Sequence, residues 1–144
     1  MQQTDEPKRP RSFHIHPDKL EWEGANYNLI WEDGREYGRF RRVLRRDAHG
    51  LTIIARFVAP PGKAWRIMGR APELGEEVYI LKGAYYDKRG RVVAPEGSFM
   101  YNAPGALHGG ISTDLTLLLH WCSGKPDEIV SAEMIDFEPA ATSS

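Results

Sequence analysis

Five histidines occur in this 144-residue chain, and two of them stand where an imidazole could do chemistry. His108 follows the Pro-Gly turn of "NAPGALHGG", and His120 sits in the apolar run "LTLLLHWC". Imidazole titrates near neutrality, and an adjacent carboxylate orients the ring and raises its pKa. Glu76 and Glu77 are candidate carboxylates, but as strand neighbours they point to opposite faces, so only one can turn inward. A buried histidine pair with one glutamate has the elements of acid–base catalysis. Arg66 and Arg70 offer planar forks of donors that suit a carboxylate or enolate oxygen. Each residue also has a plainer reading: His108 bonded to a loop, His120 satisfied in a core, the arginines on a surface loop.

Other residues carry weaker signals. Trp65, Tyr79, Tyr85, Met100 and Tyr101 could line a pocket for an aromatic or otherwise apolar substrate, although ordinary core packing accounts for most such side chains. "HIH" at 14–16 places two imidazoles on one face of a strand, good metal geometry, yet it reads better as a surface strand. "RFRRVLRR" holds five arginines balanced by nearby acids. It reads as an edge or exterior strand that discourages aggregation. Cys122, in an apolar strand, reads as an inert buried thiol.

The elements that must position these residues are strands. No long segment keeps an apolar 3.6-residue period, whereas short β-rich runs recur between Gly, Pro and Asp breaks. Candidate strands are 12–17, 27–31, 38–46, 51–59, 76–87, 91–94, 98–103, 115–122 and 129–137. "DKRG" at 87–90 is a hairpin loop, with Gly90 free to take a positive φ. In "LTIIARFVA", Leu51, Ile53, Ala55 and Phe57 share one face. In "LTLLLHWC" apolar residues occupy both parities, so both faces are covered. The fold class is all-β, a sandwich or small barrel.

Bulk composition narrows the function. Lys and Arg number 19 against 20 Asp and Glu, which argues against a nucleic-acid or membrane surface. No apolar run reaches the roughly 20 residues of a membrane span. "MQQTDEPKRPR" has no apolar core of the kind a secretory signal needs, and residues 1–11 read as a disordered arm before one domain at 12–144. A lone cysteine excludes an internal disulfide and fits the cytoplasm.

Residues 51–122 resemble the cupin superfamily, whose members are jelly-roll β-barrels with a pocket inside. "PPGKAW" and "GEEVYILKGAYYDKRG" resemble the first cupin motif, and "GSFMYNAPGALHGG" resembles the second. The chain looks most like the single-barrel cupins related to acetylacetone-cleaving dioxygenases and to the sensor domains of anti-sigma factors. In metal-dependent relatives, two first-motif histidines and one second-motif histidine bind Fe, Mn, Ni or Zn, sometimes with a glutamate. Only His108 and Glu76 match that set here, with Glu77 the choice in a neighbouring register. Alignment of the motif puts Arg70, with Met68 or Pro72, at the histidine-pair positions. An obligate cation repels a divalent metal.

The resemblance therefore implies a small-molecule enzyme with a remodelled metal site. Without a redox metal, proton transfer and oxyanion stabilisation remain, as in a lyase, isomerase, dehydratase or cyclase acting beside a carbonyl. His108 would be acid or base, Glu76 or His120 its partner, and Arg70 or Arg66 the anion clamp. No cofactor is favoured. One alternative is a dioxygenase with a divalent metal on His108, His120 and Glu76. Another is a non-catalytic ligand sensor. Single-barrel cupins commonly pair through an exterior sheet, which implies a homodimer.

Overall fold

Strict alternation builds the two central strands. In β4 (Gly50–Val58), Leu51, Ile53, Ala55 and Phe57 are buried and the residues between them are only partly covered. β11 (Asp114–Trp121) repeats the pattern with Leu115, Leu117, Leu119 and Trp121. The two run antiparallel, Asp114 opposite Val58 and Trp121 opposite Leu51, so their buried faces coincide.

The computed structural model describes residues 12–141 and is all-β, built of two antiparallel sheets as the resemblance to a jelly-roll barrel implies. The expected arm at 1–11 lies outside the described residues, as do 142–144. One sheet has the order β1 (Glu23–Gly24), β3 (Glu36–Asp47), β4, β11, β6 (Glu76–Lys82) and β9 (Phe99–Asn102), with β2 (Leu29–Ile30) also on β3. The other has the order β12 (Glu128–Asp136), β5 (Lys63–Arg70), β10 (Leu107–Ser112), β7 (Tyr85–Tyr86) and β8 (Val92–Ala94). Trp65 and Ile67 of β5 close the core against β4, β6 and β11. Gly90 takes φ 79° in the expected turn. Among the described residues no helix is long and apolar enough to cross a membrane.

Several local expectations are corrected. β5 and β10 are full strands although their sequences, "KAWRIMGR" and "LHGGIS", carry glycine and charge that mask a strand pattern. Residues 12–16 form no strand; His14 and His16 are exposed, and His16 Nδ1 accepts the Asp18 amide at 3.3 Å at the start of a 3-10 turn. The arginine-rich run lies within β3, which pairs β4 along its length and β1 only at Phe40 and Arg41, so its second half is a sheet edge as expected. Arg39 and Arg41 stand opposite Phe57 and Ala55, so they leave the sheet on its interior side. Cys122 is exposed, because the buried parity ends at Trp121.

Candidate active site

Glu76 enters the barrel from a strained corner. The Gly75 amide closes a turn on the Pro72 carbonyl at 3.0 Å, and Leu74 takes a left-handed φ of 68° just before it. For a residue other than glycine that conformation costs about 1–2 kcal/mol. Glu76 then begins β6 on the interior parity of Val78 and Ile80, and it is 2% exposed. Glu77 faces outward.

Two donors hold the Glu76 carboxylate. Trp121 Nε1 donates to Oε2 at 2.7 Å, and Asn102 Nδ2 donates to Oε1 at 3.1 Å. His108, second residue of β10, brings Nε2 to 3.5 Å from Glu76 Oε1 and 3.5 Å from Asp127 Oδ2. That nitrogen is buried and has no hydrogen-bond partner. Asp127 comes from the β11–β12 connection, and sequence reasoning missed it.

Electrostatics follow from crowding two carboxylates in a poorly solvated place. Burial first, and then the Asp127 charge, raise the Glu76 carboxyl to about 8, against the opposing pull of Trp121 and Asn102. His108 is lowered, because burial outweighs the attraction of Asp127. The neighbouring carboxylate does pull upward as expected, but burial wins. At neutral pH the site holds a neutral imidazole and a proton on Glu76.

Space adjoins this cluster on two sides. A recess of about 30 Å³ is lined by Glu76, His108, Asp127, Gly69 and Arg39. A chamber of about 220 Å³ shares Glu76, Tyr85, His108 and Gly109 with it and is walled by Val78, Val93, Ala94 and Met100. Gly109, at φ 135°, lets β10 pass the Ile67 carbonyl, which a Cβ there would meet at 2.0 Å. The chamber is mostly apolar with a few convergent polar groups, the usual make-up of a small-molecule site.

Other expected site residues lie elsewhere. His120 is on the outer face of β11, its Nδ1 2.7 Å from Thr52 Oγ1, because its parity is that of Thr116 and Leu118. It forms no pair with His108. Arg70 is exposed at the end of β5, with Nη1 3.4 Å from the Gly105 carbonyl, and Arg66 leans toward Glu133 at 3.7 Å. The interior parity of β5 belongs to Trp65, Ile67 and Gly69, so Arg70 does not occupy the barrel centre. Trp65 is core, its Nε1 donating to the Val58 carbonyl at 2.9 Å. Tyr79 faces outward, and Tyr101 is exposed with its hydroxyl donating to the Leu74 carbonyl at 3.2 Å. Met100 and Tyr85 do line the chamber.

The family model for the ChrR cupin-like domain matches residues 12–125. The chain belongs to the ChrR cupin-like family. No curated protein matches its sequence. Among solved structures, this cupin resembles the polyketide cyclase RemF of Streptomyces resistomycificus at TM-score 0.54 and 17% identity, over 84% of this chain and 87% of that one. An RmlC-like cupin of Ralstonia eutropha gives 0.57 and 14%, over 86% and 80%. A candidate acetylacetone dioxygenase of Methylibium petroleiphilum gives 0.53 and 12%, over 90% and 92%. At these identities the likeness establishes the fold.

Many cupins hold a metal, and the donors of this one suit such an ion. Glu76, His108 and Asp127 each offer one ligand atom, all within 4.8 Å of one another. Ligand bonds of about 2.0–2.2 Å set neighbouring donors roughly 3.0–3.6 Å apart, which the two 3.5 Å separations at His108 match. One imidazole and two carboxylates are a donor set for Zn, Mn, Ni or Fe(II). The buried Nε2 without a partner fits a coordinating nitrogen.

Proposed function

We propose that this cupin is an enzyme of small-molecule metabolism that moves a proton next to a carbonyl group, in the manner of an isomerase, lyase, dehydratase or cyclase. The observation that supports it is the buried, unpartnered Nε2 of His108, held between two carboxylates at the wall of an apolar chamber.

A carbonyl compound in the chamber would present an acidic C–H to His108 Nε2, which is neutral and free to accept the proton. Glu76, still protonated at neutral pH, would deliver its proton to the carbonyl oxygen, so an enol forms while charge moves only from Glu76 to His108. Trp121 and Asn102 already point at the carboxylate that this leaves, and they stabilise it without rearranging. Asp127 steadies the imidazolium. A divalent cation held by Glu76, His108 and Asp127 would displace the Glu76 proton and occupy Nε2, and in place of that proton transfer would supply Lewis-acid polarisation of the substrate oxygen.

The test is deuterium exchange at carbons beside the carbonyl, followed by NMR in deuterium oxide over a panel of 1,3-dicarbonyl and aromatic keto compounds. Catalysed exchange that His108→Ala reduces at least 100-fold is expected. Equal exchange in wild type and variant would discard the mechanism.

The same three donors favour a second reading, a metal-dependent dioxygenase that cleaves a C–C bond. Oxygen consumption by Fe(II)-loaded protein with the same dicarbonyl panel separates the two. The lone cysteine, exposed and without a disulfide partner, supports a reducing cytoplasmic setting.

A further inference from the structure

Arg39 is an arginine on the wrong side of a sheet. It stands opposite Phe57, shares that residue's interior face, and lines the recess beside Glu76, His108 and Asp127. Its Nε is buried without a hydrogen-bond partner. Arg42 Nε is buried without a partner too, but both neighbouring arginines have an acid: Arg41 meets Glu23 at 3.1 Å, and Arg42 meets Asp18 at 3.4 Å while lying 4.1 Å over the Trp22 ring. No such ion pair forms at Arg39 among the described residues.

The backbone of Arg39 is nevertheless fixed. Asn28 Oδ1 accepts its amide at 2.8 Å and Asn28 Nδ2 donates to its carbonyl at 2.9 Å. A guanidinium with its Nε buried and no counter-ion has donor capacity left over. Tyr27, whose hydroxyl is also buried without a partner, lies within electrostatic reach of Arg39 and Asp127. Of these two donors, Arg39 lines the recess itself, while Tyr27 lines the neighbouring groove that Arg39 also borders.

Charge indicates what they await. With a divalent cation on the two carboxylates and His108, the cation, Glu76, Asp127 and Arg39 sum to +1. That balance admits a monoanion. A dianion would exceed the positive charge available.

We propose that Arg39 binds the carboxylate of the substrate, so that the ligand of this site is a compact monocarboxylic oxo acid with an apolar body. The body would occupy the chamber against Val78, Val93 and Met100, and the acid head would reach past His108 into the recess. A guanidinium matches a carboxylate with two parallel donors, which a lysine cannot do. Arg39 thereby takes the anion-binding part first assigned to Arg70 and Arg66.

The assignment rests on the proposed function for the location of the chamber, but not on turnover or on a metal. Its test is therefore binding: calorimetric titration with benzoate and with its neutral isostere benzamide, with and without saturating zinc. Wild type should bind benzoate at least about tenfold more tightly than benzamide, as one charge-assisted pair allows. Arg39→Met should erase that preference and leave benzamide affinity within about twofold. Arg39→Lys, which keeps charge but loses the fork, should retain part of it. If Arg39→Met does not fold, the lysine variant decides, with a loss of at least about threefold expected. An unchanged preference in the folded variants overturns the proposal, as does failure of wild type to bind benzoate at millimolar concentration. Failure of the proposed function would instead show as absent or His108-independent deuterium exchange, with the benzoate preference intact.

Discussion

The carboxylate of Asp127 occupies the space that a side chain on residue 69 would need. A Cβ built on Gly69 would lie 2.5 Å from Asp127 Oδ2 and 3.3 Å from its Cγ. Gly69 faces the recess directly across β5 from His108. An acid from a distant loop has thus entered the room that a larger interior residue would fill. Gly69→Ala should push Asp127 away from His108 and weaken zinc binding at least about tenfold, as loss of ligand support does. Zinc titration of the two proteins checks this.

Glu76 makes the metal-free protein sensitive to alkali. Its carboxyl rises from an ordinary 4.5 to about 8 on folding. The folded state therefore holds a proton that the unfolded state has lost, and stability declines as pH climbs from 4.5 through 8, then levels off. The slope should reach roughly 1 kcal/mol per pH unit. Urea denaturation at a series of pH values should show it in wild type, and Glu76→Gln should flatten it.

The same proton reports on metal. A cation requires the ionised carboxylate, so zinc binding at pH 7 should release about one proton. Calorimetry in buffers of different ionisation enthalpy measures that number, and Glu76→Gln should reduce it to near zero.

Trp121 supports Glu76 as well as the core. Trp121→Phe keeps most of the packing but removes the 2.7 Å donor, leaving a buried oxygen unpaired. The expected loss is about 1–3 kcal/mol, read as a lower denaturation midpoint.

Much of this arrangement is legible in the sequence, and the failures have physical causes. Alternation in 51–58 and 115–121 gives the core because both strands bury one parity without interruption. The glycine-bounded run from Glu76 identifies the inward carboxylate. His108 and Glu76 come together as their motifs imply. β5 escapes notice because its outward positions mix two arginines with Ala64 and Met68 and its pocket position is a glycine, which leaves little apolar alternation to read. That gap shifts the apparent register and puts Arg70 in the barrel. Asp127 lies in a polar turn, two residues beyond the family match, and only its spacing of two from inward-facing Ile129 hints at its direction. Arg39 is hidden in a run of arginines whose neighbours do face solvent or acids.

The outer face of the larger sheet carries apolar side chains that the core does not use. Tyr79 and Phe99 are cross-strand partners at 42% and 62% exposure, with Tyr101 beside them at 56%. We propose that this face pairs with a second copy of the chain, burying the apolar residues that flank His120. Light scattering should give twice the chain mass, and Tyr79→Glu with Phe99→Glu should halve it.

The central claim is that His108 Nε2, flanked by Glu76 and Asp127, is the reactive atom of the pocket. Nitrogen-15 NMR of the imidazoles during zinc titration at pH 7 tests it most directly. His108 should be neutral, with an Nε2 resonance that moves to a metal-bound position at one equivalent, while His120 is unchanged. A His108 that is already protonated, or that does not respond at saturating zinc, would contradict it.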